Sequence, residues 1–182
     1  MNVNVRSAEM WAAIVDNGNS FSGLTVVDFG SGYGDMCLFA LRNGASQVLG
    51  IDSNPEMVKL ASQKCIDYPD AMFYDGDIES NTDFLNALEL VGFQDDTNMD
   101  VAFCFSVLPY LKRPGDFVYL LSNIFDTVYI ECQYIGDGPG NIAADDEEMS
   151  LWIMNHGFDS AYAVGRTFIK GRNMFRTIWE CW

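Results

Sequence analysis

The chain has 182 residues, of which 49% are apolar and 20% charged, values expected of one globular domain with a substantial core. No window reaches the roughly 18 consecutive apolar residues of a membrane helix, and the first ten residues carry Arg6 and Glu9 but no apolar h-region, so neither a membrane span nor a secretory signal is expected. Twenty-six acids against ten bases leave a formal charge of −16, a field that repels phosphate backbones and disfavours direct nucleic-acid binding unless a second subunit supplies positive surface.

The acidity has a plain reading as a solubility device, beside which stand a cationic or neutral substrate and a salty environment. The bases form no stripe: the local groups are Lys112 with Arg113, and Lys170, Arg172 and Arg176. Five cysteines (Cys37, Cys65, Cys104, Cys132, Cys181) are scattered among apolar residues, without zinc-site spacing or a disulfide framework. They read as reduced, mostly buried thiols of a cytoplasmic protein with no metal site.

In chain order, residues 6–15 form a short amphipathic helical stretch. Strand-like runs then alternate with helical ones, the pattern of an α/β fold with a largely parallel sheet. A first strand at 24–29 runs through a glycine-rich turn into a helix at 34–42. A second strand at 47–51 leads to a helix started by Pro55, since proline suits the first helical turn. A third strand at 71–74 is followed by a helix at 83–91. The apolar fourth strand, 100–105, is expected to be buried on both faces. A helix at 117–123 and a fifth strand at 127–132 come next. Residues 133–146, with Gly136, Gly138, Pro139 and Gly140, read as a long irregular loop of the kind that is often functional. A helix at 147–155 ends at His156-Gly157, a glycine C-cap. Strands at 159–164 and 173–179 pair around a turn at 170–173, as an antiparallel hairpin at one edge of a seven-stranded sheet.

Four segments carry chemistry. Val26-Val27-Asp28-Phe29-Gly30-Ser31-Gly32-Tyr33-Gly34-Asp35 is a strand entering a turn with glycines at alternate positions, where the backbone must bend sharply and let a ligand approach. The helix behind it offers open N–H groups to an anion, and Asp28 can accept from an ammonium group. The spacing is G-x-G-x-G, not the G-x-G-x-x-G of nicotinamide-binding proteins. Asp52, followed by Ser53, ends the second strand where an acid binds ribose hydroxyls in nucleoside sites; the alternative is a helix N-cap. Asp75-Gly76-Asp77-Ile78 follows the third strand, where a carboxylate and an apolar side chain can hold an adenine edge and face. Phe105-Ser106-Val107-Leu108-Pro109-Tyr110-Leu111 leaves the fourth strand at the carboxyl edge, where open α/β sheets bind ligands.

Together these segments resemble the class I, Rossmann-like S-adenosylmethionine (SAM)-dependent methyltransferases. The run from Asp28 to Gly34 is similar to that family's D-x-G-x-G-x-G motif, Asp52 to its ribose-binding acid, Asp77-Ile78 to its adenine-binding pair, and Phe105 to Leu111 to its fourth motif. Gly157-Phe158 is similar to the pair that opens its late strand. The resemblance, over residues 25–179, implies one methyltransferase domain spanning 1–182 with the sheet order 3-2-1-4-5-7-6 and strand 7 antiparallel. It implies SAM as cofactor and S-adenosyl-L-homocysteine (SAH) as product. Asp28, Phe29, Gly30, Ser31, Gly32 and Gly34 would hold the methionine part, Asp52 and Ser53 the ribose, and Asp77 and Ile78 the adenine. Phe105 and Ser106 would lie near the sulfonium. Residues 1–20 would form a helical lid in which Trp11 either covers the site or belongs to the core, and 133–146 an active-site loop.

The general base is less plainly marked. His156, the only histidine, has a place suited to a surface or capping role. Glu131 reads equally as a base at the ligand edge and as a solvated strand-end acid, and Tyr110 as a wall of the acceptor pocket or a packing residue. A fainter likeness joins Arg6, Trp11, the segment from Val107 to Tyr110 and Glu131 to SAM-dependent enzymes that modify wobble uridine in transfer RNA. The acidic charge argues against that substrate, and no added RNA-binding domain is read. The expected function is methyl transfer to oxygen or nitrogen of a small-molecule acceptor. The alternatives are a non-catalytic SAM-binding subunit, with an apolar patch of Phe168, Phe175, Trp179 and Trp182, or an enzyme acting on RNA or protein with a partner. Homodimerisation or a partner subunit stays open, and a nicotinamide-dependent oxidoreductase is disfavoured by the glycine spacing.

Overall fold

The computed structural model describes residues 4–94, 98–131, 142–169 and 174–182. Helix α1 (Val5–Val15) is capped by Asn4, whose side chain accepts from the Arg6 N–H. Seven strands follow: β1 (Thr25–Phe29), β2 (Gln47–Asp52), β3 (Ala71–Asp75), β4 (Met99–Phe105), β5 (Phe125–Glu131), β6 (Ala161–Ile169) and β7 (Met174–Cys181). They form one sheet in the order β3-β2-β1-β4-β5-β7-β6. The first five are parallel, and β7 runs antiparallel to both β5 and β6. This is the expected order and fold class. The helices are α2 (Asp35–Arg42), α3 (Pro55–Lys64), α4 (Asn81–Glu89), α5 (Pro114–Ser122) and α6 (Asp146–Met154).

The central strands are apolar because both their faces are covered. Phe29 on β1 lies on one face of the sheet, stacked on Phe84 of α4 at 5.5 Å and met edge-on by Phe117 of α5 and Phe125 of β5. On the other face Phe103 and Tyr129 pack against Phe21 and, from α1, Trp11. Such aromatic pairs each contribute roughly 0.5–1.5 kcal/mol beyond area burial. The helix starts follow ordinary capping chemistry: proline opens α3 and α5, and Asn54, Ser80 and Asp145 accept backbone N–H bonds at the starts of α3, α4 and α6.

One open choice is decided and two expectations change. Trp11 is buried, with its ring 4.9 Å from Phe21 and 5.7 Å from Phe39, so it serves the core and does not cover a ligand. Helix α5 begins at Pro114, a turn earlier than the apolar pattern from Phe117 suggests. Strand β6 extends to Ile169, through a bulge between Ala163 and Gly165. There α1 crosses the strand so closely that a Cβ on Gly165 would strike Ala13, and Asn17 ties the Ala13 and Val164 carbonyls together at 2.7 Å each. Packing against α1 thus sustains a strand that the sequence pattern ends at Val164.

His156 closes α6 as a structural residue: its Nδ1 lies 2.7 Å from the Trp152 carbonyl and its ring packs on that of Trp152. Cys37, Cys65, Cys104 and Cys181 are free and buried, whereas Cys132 lies outside the described residues. So do residues 133–141 of the expected active-site loop and the whole 170–173 turn. Of the expected apolar patch, Trp179 is buried, while Phe168, Phe175 and Trp182 are exposed and Trp182 stacks on Tyr162. Among the described residues no helix is long and apolar enough to cross a membrane.

Candidate functional site

The glycine turn after β1 is built from left-handed backbone: Gly30, Gly32 and Gly34 have φ of 74°, 50° and 71°, values an L side chain rarely tolerates. A Cβ on Gly30 would strike Val107, and one on Gly34 would sit 2.8 Å from the Ala61 Cβ. At Gly32 a Cβ would meet nothing within 4 Å, so there the backbone faces open space. The turn is fastened to the end of β2. The Gly30 and Ser31 N–H groups donate to the Ile51 carbonyl at 2.8 and 3.0 Å, and Gly32 N–H donates to Asp52 at 2.9 Å. The other Asp52 oxygen accepts from Asn54 N–H at 2.9 Å. Asp52 therefore shapes the turn, while Asn54 takes the helix-capping role the sequence left open to it. Each Asp52 oxygen keeps a second lone pair for a hydroxyl donor.

A cleft of about 350 Å³ opens at the carboxyl ends of β1 to β4, where ligands bind in open parallel sheets. Gly30, Asp52, Ser53, Asp77, Ile78, Phe105, Ser106 and Tyr110 are all on its wall, with Glu79 added by the structure. Asp28, Phe29, Ser31 and Gly34 are buried behind that wall, and Gly32 is half-buried beside it. Phe29 is fully in the core. The Ser31 hydroxyl is buried without a partner. Asp28 is buried beneath the turn and accepts from the Cys37 thiol at 3.6 Å. Loss of solvent pushes its carboxyl up to about 7, with the Asp52 and Asp35 charges adding to the effect.

A second cavity, of about 510 Å³, shares Ser106 and Tyr110 with the first. Its distinctive side chains are Arg6 from α1 and Arg176 from β7, with Phe168 and Ile169 from β6. Beneath both arginines lies Glu131, completely buried at the end of β5 and on the wall of neither cavity. Arg6 Nη2 donates to both its oxygens, Thr167 Oγ1 donates at 2.7 Å, Ser106 Oγ donates at 2.7 Å and Arg176 Nη1 lies 3.4 Å away. Ser106 Oγ in turn accepts from Arg6 at 2.9 Å and Arg176 at 3.0 Å. Ser106 alone among the described non-glycine residues has a left-handed backbone, φ 59°, a conformation that costs of order 1–3 kcal/mol and persists where surroundings impose it.

The arrangement corrects the reading of Glu131. It is not a solvated acid, and its lone pairs are occupied by two guanidiniums and two hydroxyls, leaving it poorly placed to take a substrate proton. Its work is to hold Arg6, Arg176 and Ser106 in place. Tyr110, by contrast, is exposed and stands at the junction of the cavities. The arginine pair was not legible as a site because its members are 170 positions apart in the chain. One signal was present: Arg176 and Glu131 are charged positions on two largely apolar strands, and a charge buried in a sheet requires an opposite partner.

Residues 26–128 match the family model described as "Methyltransferase domain". Short segments match curated relatives: 59 residues are 41% identical to protein arginine N-methyltransferase 1 of Dictyostelium discoideum, covering 32% of this chain and 17% of that protein. A segment of 47 residues is 47% identical to ribosomal protein L11 methyltransferase of Haemophilus ducreyi, covering 26% and 16%. These matches span less than a fifth of each relative's length. The fold also matches magnesium protoporphyrin IX methyltransferase from Synechocystis PCC 6803 with bound SAM, at TM-score 0.69 and 21% identity over 96% of this chain and 76% of that one. The N-terminal domain of EvdMO1 with bound SAH matches at TM-score 0.68 and 11% identity, over 98% and 82%. With a family match over more than half its length and the seven-stranded order in place, the chain belongs to the class I SAM-dependent methyltransferase family.

Proposed function

We propose that this chain transfers a methyl group from SAM to an oxygen or nitrogen of a small-molecule acceptor, with the cofactor in the cleft after β1 to β4 and the acceptor in the cavity beside Arg6 and Arg176. The observation that carries this reading is the junction of the two cavities at Ser106 and Tyr110. A donor and an acceptor held on either side of it would meet there.

The first cleft suits the cofactor on its own chemistry. Asp52 and Asp77 present acceptors to hydroxyl and amino groups, Ile78 and Phe105 present apolar surface, and Gly32 leaves its backbone open to close approach. The buried, unpartnered Ser31 hydroxyl would gain an acceptor. Asp28 favours an ammonium group nearby, since a cation would hold its buried carboxyl ionised. When bound, SAM supplies a methyl group already activated on a sulfonium. The protein then needs mainly to align the acceptor and exclude water, and such positioning can lower a barrier by roughly 7–11 kcal/mol. Tyr110 and Ser106 line the meeting point, and Glu131 acts through Ser106 and the arginines as a positioning residue. A cavity of about 510 Å³ suits a small-molecule acceptor. The reading as a non-catalytic SAM-binding subunit draws on the exposed Tyr162–Trp182 stack.

Calorimetry with SAM, SAH and NAD, followed by a screen of small acceptors with methyl-labelled SAM, tests the proposal. Binding of SAM and SAH but not NAD, with label transferred to a small molecule, is expected. Cofactor binding with label transferred only to protein or RNA would overturn the small-molecule assignment. Cofactor binding with no transfer to any acceptor would favour the non-catalytic reading.

A further inference from the structure

We infer that the acceptor carries a carboxylate on an aromatic or otherwise apolar body, and that Arg6 receives this carboxylate. The inference rests on the reading of the first cleft as the cofactor site, and it names the class of molecule that enters from the second.

The chain has only ten bases against twenty-six acids, yet two of them, Arg6 and Arg176, converge on one cavity. Glu131 holds them from below. Glu9, also on this wall, is exposed. Arg6 spends a single nitrogen, Nη2, on Ser106 and Glu131. Its Nε–H is buried with no partner at all, an arrangement that costs about 1–3 kcal/mol unless an acceptor arrives. Its Nη1 makes no hydrogen bond either among the described residues. A guanidinium already fixed through one nitrogen, with Nη1 unspent and Nε–H unpartnered, is pre-organised for a planar oxyanion.

The rest of the wall specifies the body of the ligand. Tyr110 and Phe168 present exposed rings and Ile169 an aliphatic face, so a free inorganic anion would leave most of the cavity unfilled. The net charge of −16 does not prevent entry. At physiological ionic strength exposed charges are screened beyond about 8 Å, and a partly buried guanidinium at contact outweighs them. The two cavities thus divide by charge. Asp52, Asp77 and Glu79 line the side proposed for the sulfonium cofactor, and the arginines line the side proposed for the acceptor.

The test uses the full chain saturated with SAH, titrated by calorimetry with 4-hydroxybenzoate and with its neutral counterpart 4-hydroxybenzamide. Charge-assisted hydrogen bonds predict that the carboxylate binds at least about tenfold more tightly. Arg6→Gln is expected to abolish the difference while SAH affinity stays within about threefold, and Arg6→Lys to restore part of it, as a point charge without the fork. Equal binding of acid and amide, a preference unchanged in Arg6→Gln, or binding of neither probe to the SAH complex would each overturn the inference. The wild-type comparison stands even if a variant folds poorly. If SAH does not bind but the acid is still preferred over the amide, the cofactor reading fails and the arginine site survives.

Discussion

The two cavities that meet at Ser106 and Tyr110 are made of different material. The acid-lined cleft is formed largely of backbone: Gly30 on its wall in a turn of three left-handed glycines, the ends of parallel strands, and carboxylates that bond the main chain of neighbouring turns. The arginine-lined cavity is formed of side chains from α1, β6 and β7, held together by one buried carboxylate on β5. A backbone site is fixed by conformation and tolerates most side-chain changes outside its glycines. A side-chain site depends on a charge network that fails as a unit when one member is lost. The two should therefore respond to mutation in opposite ways, and four experiments sharpen or break that contrast.

The largest effect is expected at Glu131. Glu131→Gln leaves two arginines without their shared charge, and breaking a buried pair costs about 3–5 kcal/mol. Urea unfolding should show a loss near the lower end, because Arg6 is partly exposed. Methyl transfer should fall steeply while SAH affinity changes little; a matching collapse of SAH binding would show that the cavities are not separable. Next comes Gly34→Ala, which forces a Cβ into the left-handed region and against Ala61. The backbone alone costs about 1–2 kcal/mol, and both stability and SAM affinity should drop. A third, smaller effect is Asp52→Ala, expected to weaken SAM and SAH binding about tenfold, or ~1.4 kcal/mol, with carboxylate-probe binding retained. Unchanged cofactor affinity would remove the ribose assignment.

The fourth effect is a slope with pH. Burial raises the Asp28 carboxyl from 3.8 to about 7 in the folded chain. The folded state therefore holds this proton more tightly than the unfolded one. The contribution to stability is full below about pH 4 and is lost as pH rises through about 7. Asp28→Asn removes the titration, so its urea midpoint should decline less than that of the wild type between pH 4 and 7. Parallel declines would show that Asp28 is not the group responsible. SAM binding should reduce the wild-type slope if its ammonium group lies near this carboxyl.

The acid-lined cleft was almost wholly legible in the chain because its parts are local. Asp28 to Gly34, Asp52-Ser53, Asp77-Ile78 and Phe105-Ser106 each follow a strand, and parallel strands in the expected order bring all four turns to one edge. Apolar runs bounded by glycine, proline and capping residues placed the strands within a few residues. They failed where a neighbour intervenes: β6 runs on past Val164 because α1 docks on it, and α5 starts at Pro114 although the apolar pattern begins at Phe117. Trp11, attractive as a lid from its place before the core, is drawn under by Phe21, Phe39 and Phe103.

With the strand order supplied by the family resemblance, the sequence by itself determined the alternating strands and helices and the turn chemistry of the first cleft. These depend on hydrophobic period and on glycine's freedom at positive φ, properties that a short window contains. Only the tertiary structure decided the second cavity. Arg6, Ser106 and Glu131 lie far apart in the chain from one another and from the paired Thr167 and Arg176. A buried charge is stable only beside a partner that folding, not proximity in sequence, brings to it.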